Sequence, residues 1–181
     1  MQGAHESRTV ARASPAAGFS LIELLIVVAI ILIVASIAIP NFVRARIQAN
    51  EAAAVQNLRT ISTAQVAYLT AYANGFAPGL PELTGNSPVT CDQAGLIDNA
   101  LASGQKTGYR YVLHPGTPVL VAGVGCAAPG VNDYQISAEP IAVGSSGQRS
   151  FCMTQNGIIR QDPTGAPIAA GSCVPPLAPI Q

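Results

Sequence analysis

Hydrophobic and polar positions divide this chain into three regimes. From Phe19 to Ile39 the sequence FSLIELLIVVAIILIVASIAI is apolar on every helical face and carries one charge, Glu23. A helix rises about 1.5 Å per residue, so a run of this length matches a bilayer hydrocarbon core of about 30 Å. A small domain cannot cover such a helix from all sides, and the pattern predicts a membrane span. From Asn41 to Ala73 glycine and proline are absent and alanine is frequent. There Val43, Ile47, Ala54, Leu58, Ile61, Tyr68 or Leu69, and Tyr72 recur every three or four positions, one stripe on a helix. The opposite face carries Arg44, Gln48, Glu51, Gln56, Arg59 and Thr63. Asn74-Gly75 is a stop signal. Phe19 to Ala73 therefore reads as one helix about 80 Å long, with a transmembrane half over 19–40 and an amphipathic half over 41–74. Pro40, at the junction, predicts a kink or local loosening; a break into two helices is the alternative.

The third regime begins at residue 74, where 27 of the remaining 108 residues are glycine or proline. Short β-prone runs punctuate these turns, so the region is a folded domain and not a linker. They are Tyr109–Leu113, Val119–Val121, Tyr134–Ala138, Ser150–Thr154 and Ile158–Arg160. Gln155-Asn156-Gly157 joins the last two as a hairpin turn. The runs predict an antiparallel meander of three or four strands over 109–161, with its apolar face covered by the amphipathic helix half. Asp92–Ala102 reads as a short helix within a connecting loop over 75–108, and the Pro- and Ala-rich tail 162–181 as irregular. The fold class is α+β, a long N-terminal helix on a small antiparallel sheet.

Charge adds exclusions. Nine basic and nine acidic residues in 181 leave no net charge, which argues against a polybasic nucleic-acid binder. Arg8 and Arg12 precede the apolar run and Arg44 and Arg46 follow it, so positive charge alone does not orient the span. Small residues at Ala35–Ile39 would allow ordinary signal cleavage, but the sequence beyond them continues as helix. All four cysteines, Cys91, Cys126, Cys152 and Cys173, follow the span, as expected in an oxidising compartment. Three pairings are open; Cys91–Cys126 with Cys152–Cys173 is preferred, because the second bond would tie the tail to a strand. A metal site of cysteines and His114 is the competing reading, without any close Cys pair to support it. His114 beside Pro115 reads as a turn residue. Asp92, Asp98, Asp133 and Asp162 are too scattered for a calcium loop. Catalytic and phosphate-binding motifs are missing, so the chain reads as a non-enzyme with no cofactor.

Glu23 is the anomaly. A carboxylate in an apolar helix costs a few kcal/mol unless it reaches the membrane edge or finds a partner. If the chain were cut between Gly18 and Phe19, the new Phe19 amine would lie four residues from Glu23, about 6 Å along the axis. That amine, in the same chain or a neighbour, would be a partner, and pairing between chains would fix the stagger of packed helices.

Gly18-Phe19-Ser20-Leu21-Ile22-Glu23-Leu24-Leu25 resembles the prepilin motif of type IV pilins and type II secretion pseudopilins. Pro40, Ala53–Tyr72 and Arg149–Arg160 are also similar to that family, although the clear resemblance covers roughly the first 75 residues. One departure is that the nearest cation before Gly18 is Arg12, whereas the family carries lysine or arginine closer. The resemblance implies that 1–18 is a leader removed by a prepilin peptidase, which then methylates Phe19. It implies a single-pass inner-membrane subunit with a cytoplasmic N-terminus and a periplasmic domain. An assembly platform and its ATPase would move this subunit from lipid into a helical homopolymer, with Glu23 neutralising the Phe19 amine. Three functions follow: a type IV pilus subunit, a pseudopilin of a secretion machine, or a membrane-anchored periplasmic binding domain that never polymerises. A cysteine-bounded loop near the C-terminus favours the first.

Overall fold

The computed structural model describes residues 18–85, 88–123 and 125–180. The segment up to residue 17, with Arg8 and Arg12, expected to be a leader, lies outside the described residues. Two compact units divide at Pro40 and Asn41. The first contains the apolar part of helix α1, which runs Leu21–Tyr72 with Pro40 inside it and no break into separate helices.

In the second unit, the rest of α1 lies on one face of a six-stranded sheet, all neighbours antiparallel and in sequence order. The strands are β1 Gln105–Lys106, β2 Tyr109–Pro115, β3 Tyr134–Pro140, β4 Ser150–Thr154, β5 Ile159–Asp162 and β6 Ala178–Pro179. Alternation sorts the sheet's two faces. Tyr109, Tyr111, Tyr134, Ile136, Ala138, Phe151 and Met153 meet Ala54, Leu58, Ile61, Ala64 and Tyr68 of α1 in one core. Cys152, on the other face, forms a smaller cluster with Ile168 and Cys173 of the tail. Central β3 is therefore covered on both sides.

The tail is largely without regular structure, as expected, but it is not loose. Cys152 is bonded to Cys173, with Cα atoms 5.8 Å apart. The Gln135 side chain on β3 donates to the Ala169 carbonyl at 2.8 Å and accepts from the Cys173 N–H at 3.1 Å. Arg160 donates to the Leu177 carbonyl at 2.8 Å, and β6 pairs with β5. The sheet thus extends beyond the expected 109–161 at both ends, because backbone pairing recruits segments whose composition carries no strand signal.

Other expectations need correction. The short helix covers only Asn99–Ala102, labelled α2, with the Asp98 side chain capping the Leu101 N–H at 3.0 Å. Gly95, at φ +65°, turns the preceding chain away from helical geometry. Val119–Val121 is not a strand: Val119 makes one ladder-like bond to Gly130, and Leu120 and Val121 then project into solvent. His114 and Pro115 lie in β2 opposite Gln135 and Tyr134, not in a turn. The cysteines are consumed as Cys91–Cys126 and Cys152–Cys173, which leaves no thiolate for a metal. The Asn156-Gly157 hairpin is present, with the Ile158 N–H donating to Asn156 Oδ1 at 3.0 Å.

The largest correction concerns Glu51. It sits inside the buried stripe of α1, 5% exposed, not on the solvent face. Its Oε1 accepts from the Gln148 and Arg149 N–H groups at 2.9 and 3.1 Å, and Oε2 accepts from Arg149 Nε at 2.9 Å and from Nη2. Burial alone would raise its pKa. The Arg149 hydrogen bonds, the Gln148 N–H and the Arg149 charge outweigh burial and hold the carboxyl below its ordinary value. Further polar ties join helix and head: Asn57 to the Tyr111 hydroxyl at 2.8 Å, Asn50 to the Ser146 carbonyl at 2.8 Å, and Gln65 to both backbone groups of Ala77. Beyond the helix, Asn74 bonds Tyr68, Ala128 and Gly123. Gly75 follows at φ +77°, where a Cβ would meet the Val131 carbonyl oxygen at 2.6 Å.

Two outcomes follow. Replacing Cys152 and Cys173 by serine should cost about 3 kcal/mol, the closure entropy of a loop of this size, read as a lower urea midpoint of the detergent-solubilised protein. Glu51→Gln should cost about 2 kcal/mol at pH 7, since Arg149 is partly exposed and the pair partly screened. Because the folded carboxyl pKa is depressed, this contribution is present above the unfolded value of about 4.3 and is lost as pH falls through the folded one. The stability gap between wild type and Glu51→Gln should therefore close on acidification, measured by urea titrations from pH 7 to pH 3.

Candidate assembly site

The N-terminal part of α1 is rich in β-branched residues, and it is helical because an apolar surrounding requires every backbone group to bond within its own segment. Leu, Ile, Val and Ala fill it, and the Leu24 N–H bonds the Ser20 carbonyl at 3.2 Å to open the first turn. Its other hydroxyl, Ser36, donates to the Ile33 carbonyl at 2.7 Å, so that side chain needs no water. The large apolar residues from Leu21 to Ile39 are all exposed, Leu21 by 80% and Ile39 by 62%. This is the helix long and apolar enough to cross a membrane. Its surface has no cover among the described residues.

Gly18, Phe19 and Glu23 lie together at the start of this surface. Gly18 and Phe19 precede the helix and are exposed, Phe19 by 81%. A Cβ on Gly18 would meet nothing within 4 Å, and its backbone is not left-handed. Neither packing nor conformation among the described residues requires glycine there. Glu23 occupies the first turn, where a carboxylate also suits the positive end of the helix dipole. It forms no ion pair among the described residues. Four residues of sequence separate it from Phe19, which lies just ahead of the helix.

In the head, the tie from Glu51 to Arg149 went unread in the sequence. Its signal was available: Glu51 falls four positions from Ile47, three from Ala54 and seven from Leu58, in phase with the stripe it interrupts. Arg149 offered no such signal, since its position opposite Glu51 depends on sheet register.

Residues 14–39 match the family model described as the prokaryotic N-terminal methylation motif. The chain is 46% identical over 69 residues to the type IV major pilin protein PilA of Myxococcus xanthus (strain DK1622), covering 34% of this chain and 31% of that protein. The chain thus matches about a third of the length of that curated relative. No solved structure matches it. The chain thus shares with type IV pilins the methylation motif over its exposed helix start, and over that third of its length it is similar to a major pilin.

Proposed function

We propose that this chain is the structural subunit of a type IV pilus-like filament, cleaved after Gly18 by a prepilin peptidase, methylated at Phe19 and assembled through its N-terminal helix. The observation that carries this reading is the uncovered apolar surface from Leu21 to Ile39 with an acid at its start. Such a surface is stable in lipid or against copies of itself. Before assembly the subunit is anchored in the inner membrane, with its N-terminus cytoplasmic and its disulfide-bonded domain in the oxidising periplasm. An assembly platform, driven indirectly by an ATPase, transfers it into the filament.

Glu23 supplies the order. A carboxylate leaving water for an apolar core costs about 2.5–3.5 kcal/mol unless a cation meets it. The Phe19 amine released by cleavage is that cation, in the same chain or a neighbour. A neighbour's amine would set a stagger of about 6 Å, four residues of helix rise. A peptidase that needs the backbone free at the cut accounts for a glycine that packing does not require. The leader over 1–18, the core helix over 19–40 and the head beyond are the proposed working parts. Likeness to a major pilin and the Cys152–Cys173 loop favour a pilus over the short periplasmic filament of a secretion machine.

Intact-mass spectrometry of sheared surface material tests the reading. The expected species is residues 19–181 plus one methyl, less four hydrogens for two disulfides. The same species confined to membranes and periplasm would mark a pseudopilin, and an unprocessed chain in a host with active prepilin peptidase would overturn cleavage. Glu23→Ala should lower the yield of sheared filaments by roughly tenfold or more while the subunit stays in the membrane. Unchanged filaments would remove Glu23 from assembly.

A further inference from the structure

Charge is unevenly distributed over the second unit. Between Asn41 and Tyr72 the exposed charges are Arg44, Arg46 and Arg59, because the acid of that stretch, Glu51, is buried against Arg149. A groove runs between this part of α1 and the adjacent sheet edge. Arg44, Arg59 and Arg149 line it, and Val55, Phe151 and Ile180 give it an apolar floor; its larger compartment measures about 430 Å³. Its one carboxylate, Glu51, is spent on Arg149 and two backbone N–H groups. The groove is cationic and has no anion of its own to offer.

The free acid lies elsewhere on the same molecule. Asp98 is paired with Lys106, Asp133 accepts from the Thr117 N–H, and Asp162 accepts from Thr164. Asp92 is exposed and has no such partner among the described residues. It adjoins Cys91, whose disulfide to Cys126 and the bond from the Cys126 N–H to Gly123 tie it to Asn74, just past the end of α1. Glu82 lies on the same loop, its carbonyl accepting from the Ala94 N–H at 2.9 Å. Both acids act on Tyr68 in the last turns of the helix. From Arg59 and Arg44 to the end of α1 at Tyr72 the helix rises by roughly 20 and 42 Å. Asp92 is tied to that end of the helix, so on one copy it lies far from the Arg44 end of the groove compared with a Debye length of about 8 Å.

We propose that the groove between α1 and the sheet edge receives the Asp92 loop of a second copy displaced along the helix axis. This rests on the filament reading and names one of its contacts. Copies inserted in the same membrane are parallel, and a shift along the axis brings acid end and cationic groove into register. The two surfaces are different patches of one molecule, so the contact is heterologous and repeats without closing, as a filament requires. An anionic lipid headgroup is the other ligand that such arginines could hold.

A charge swap in the full-length chain, expressed with its assembly machinery, tests the proposal. Arg59 and Asp92 are exposed and lie outside the helix-to-head ties, so their variants should reach wild-type levels in total-cell immunoblots. Arg59→Asp and Asp92→Arg should each reduce sheared filaments roughly tenfold, and the double variant should return them to within about twofold of wild type. Normal filaments from both single variants would overturn this contact alone. Loss with Arg59→Asp but not with Asp92→Arg, together with weaker retention by vesicles containing anionic phospholipid, would replace the second copy by lipid. No filaments from wild type would overturn both the filament reading and this contact.

Discussion

Everything in this protein follows from an apolar helix surface that none of the described residues covers. Burying one large aliphatic side chain stabilises by about 1.5–3 kcal/mol, and more than a dozen such residues from Leu21 to Ile39 are exposed. No loop or strand among the described residues approaches that sum. The surface must be covered by lipid or by other helices of its own kind, and a subunit able to exchange the first for the second is an assembly unit. Under the proposed function Glu23 would make that exchange selective. In lipid near the headgroups the acid can reach water, whereas in a helical core it needs a cation, which cleavage ahead of Phe19 would create.

The second half of the same helix has the opposite design. Its buried stripe alternates apolar contacts with Asn50, Glu51, Asn57 and Gln65, each given a partner in the head. Apolar packing against the sheet supplies the bulk of the attachment, but it is tolerant of small rotations and slips. The polar ties are not, because a misplaced helix would leave buried amides and a carboxylate unsatisfied. Pulling on such a subunit along α1 would load these ties and the core together.

Cross-links treat the head differently. Its sheet is short-stranded, and two of its strands contain only two residues. The tail Asp162–Ile180 holds to it through the Cys152–Cys173 bond, the Gln135 amide and the β5–β6 pairing. A segment with so little regular structure offers few buried side chains, chiefly Ile168 and Cys173, to offset the entropy of ordering it. The cross-link lowers the entropy of the unfolded chain and makes the second layer of the sheet worth ordering.

Local pattern sufficed for the long helix, its change from all-round apolar to amphipathic near Pro40, four of the six strands and the Asn-Gly hairpin. The first group holds because its features repeat or adjoin within a few residues, and Gly18, Phe19 and Glu23 are likewise proposed from adjoining positions alone. Only the tertiary structure decided that Glu51 faces the head, that Asp92–Ala102 is mostly loop, that Val119–Val121 is exposed and that β1 and β6 join the sheet. Those outcomes depend on which segments pair: Arg149, 98 residues on, for Glu51; Arg160 and Gln161 for β6; and Tyr109 and Arg110, only a few residues on, for β1. A charged residue in an apolar stripe reads as solvent-facing until the cation and N–H groups that desolvate it are in place. Their position is a consequence of sheet register, which no short stretch of sequence encodes.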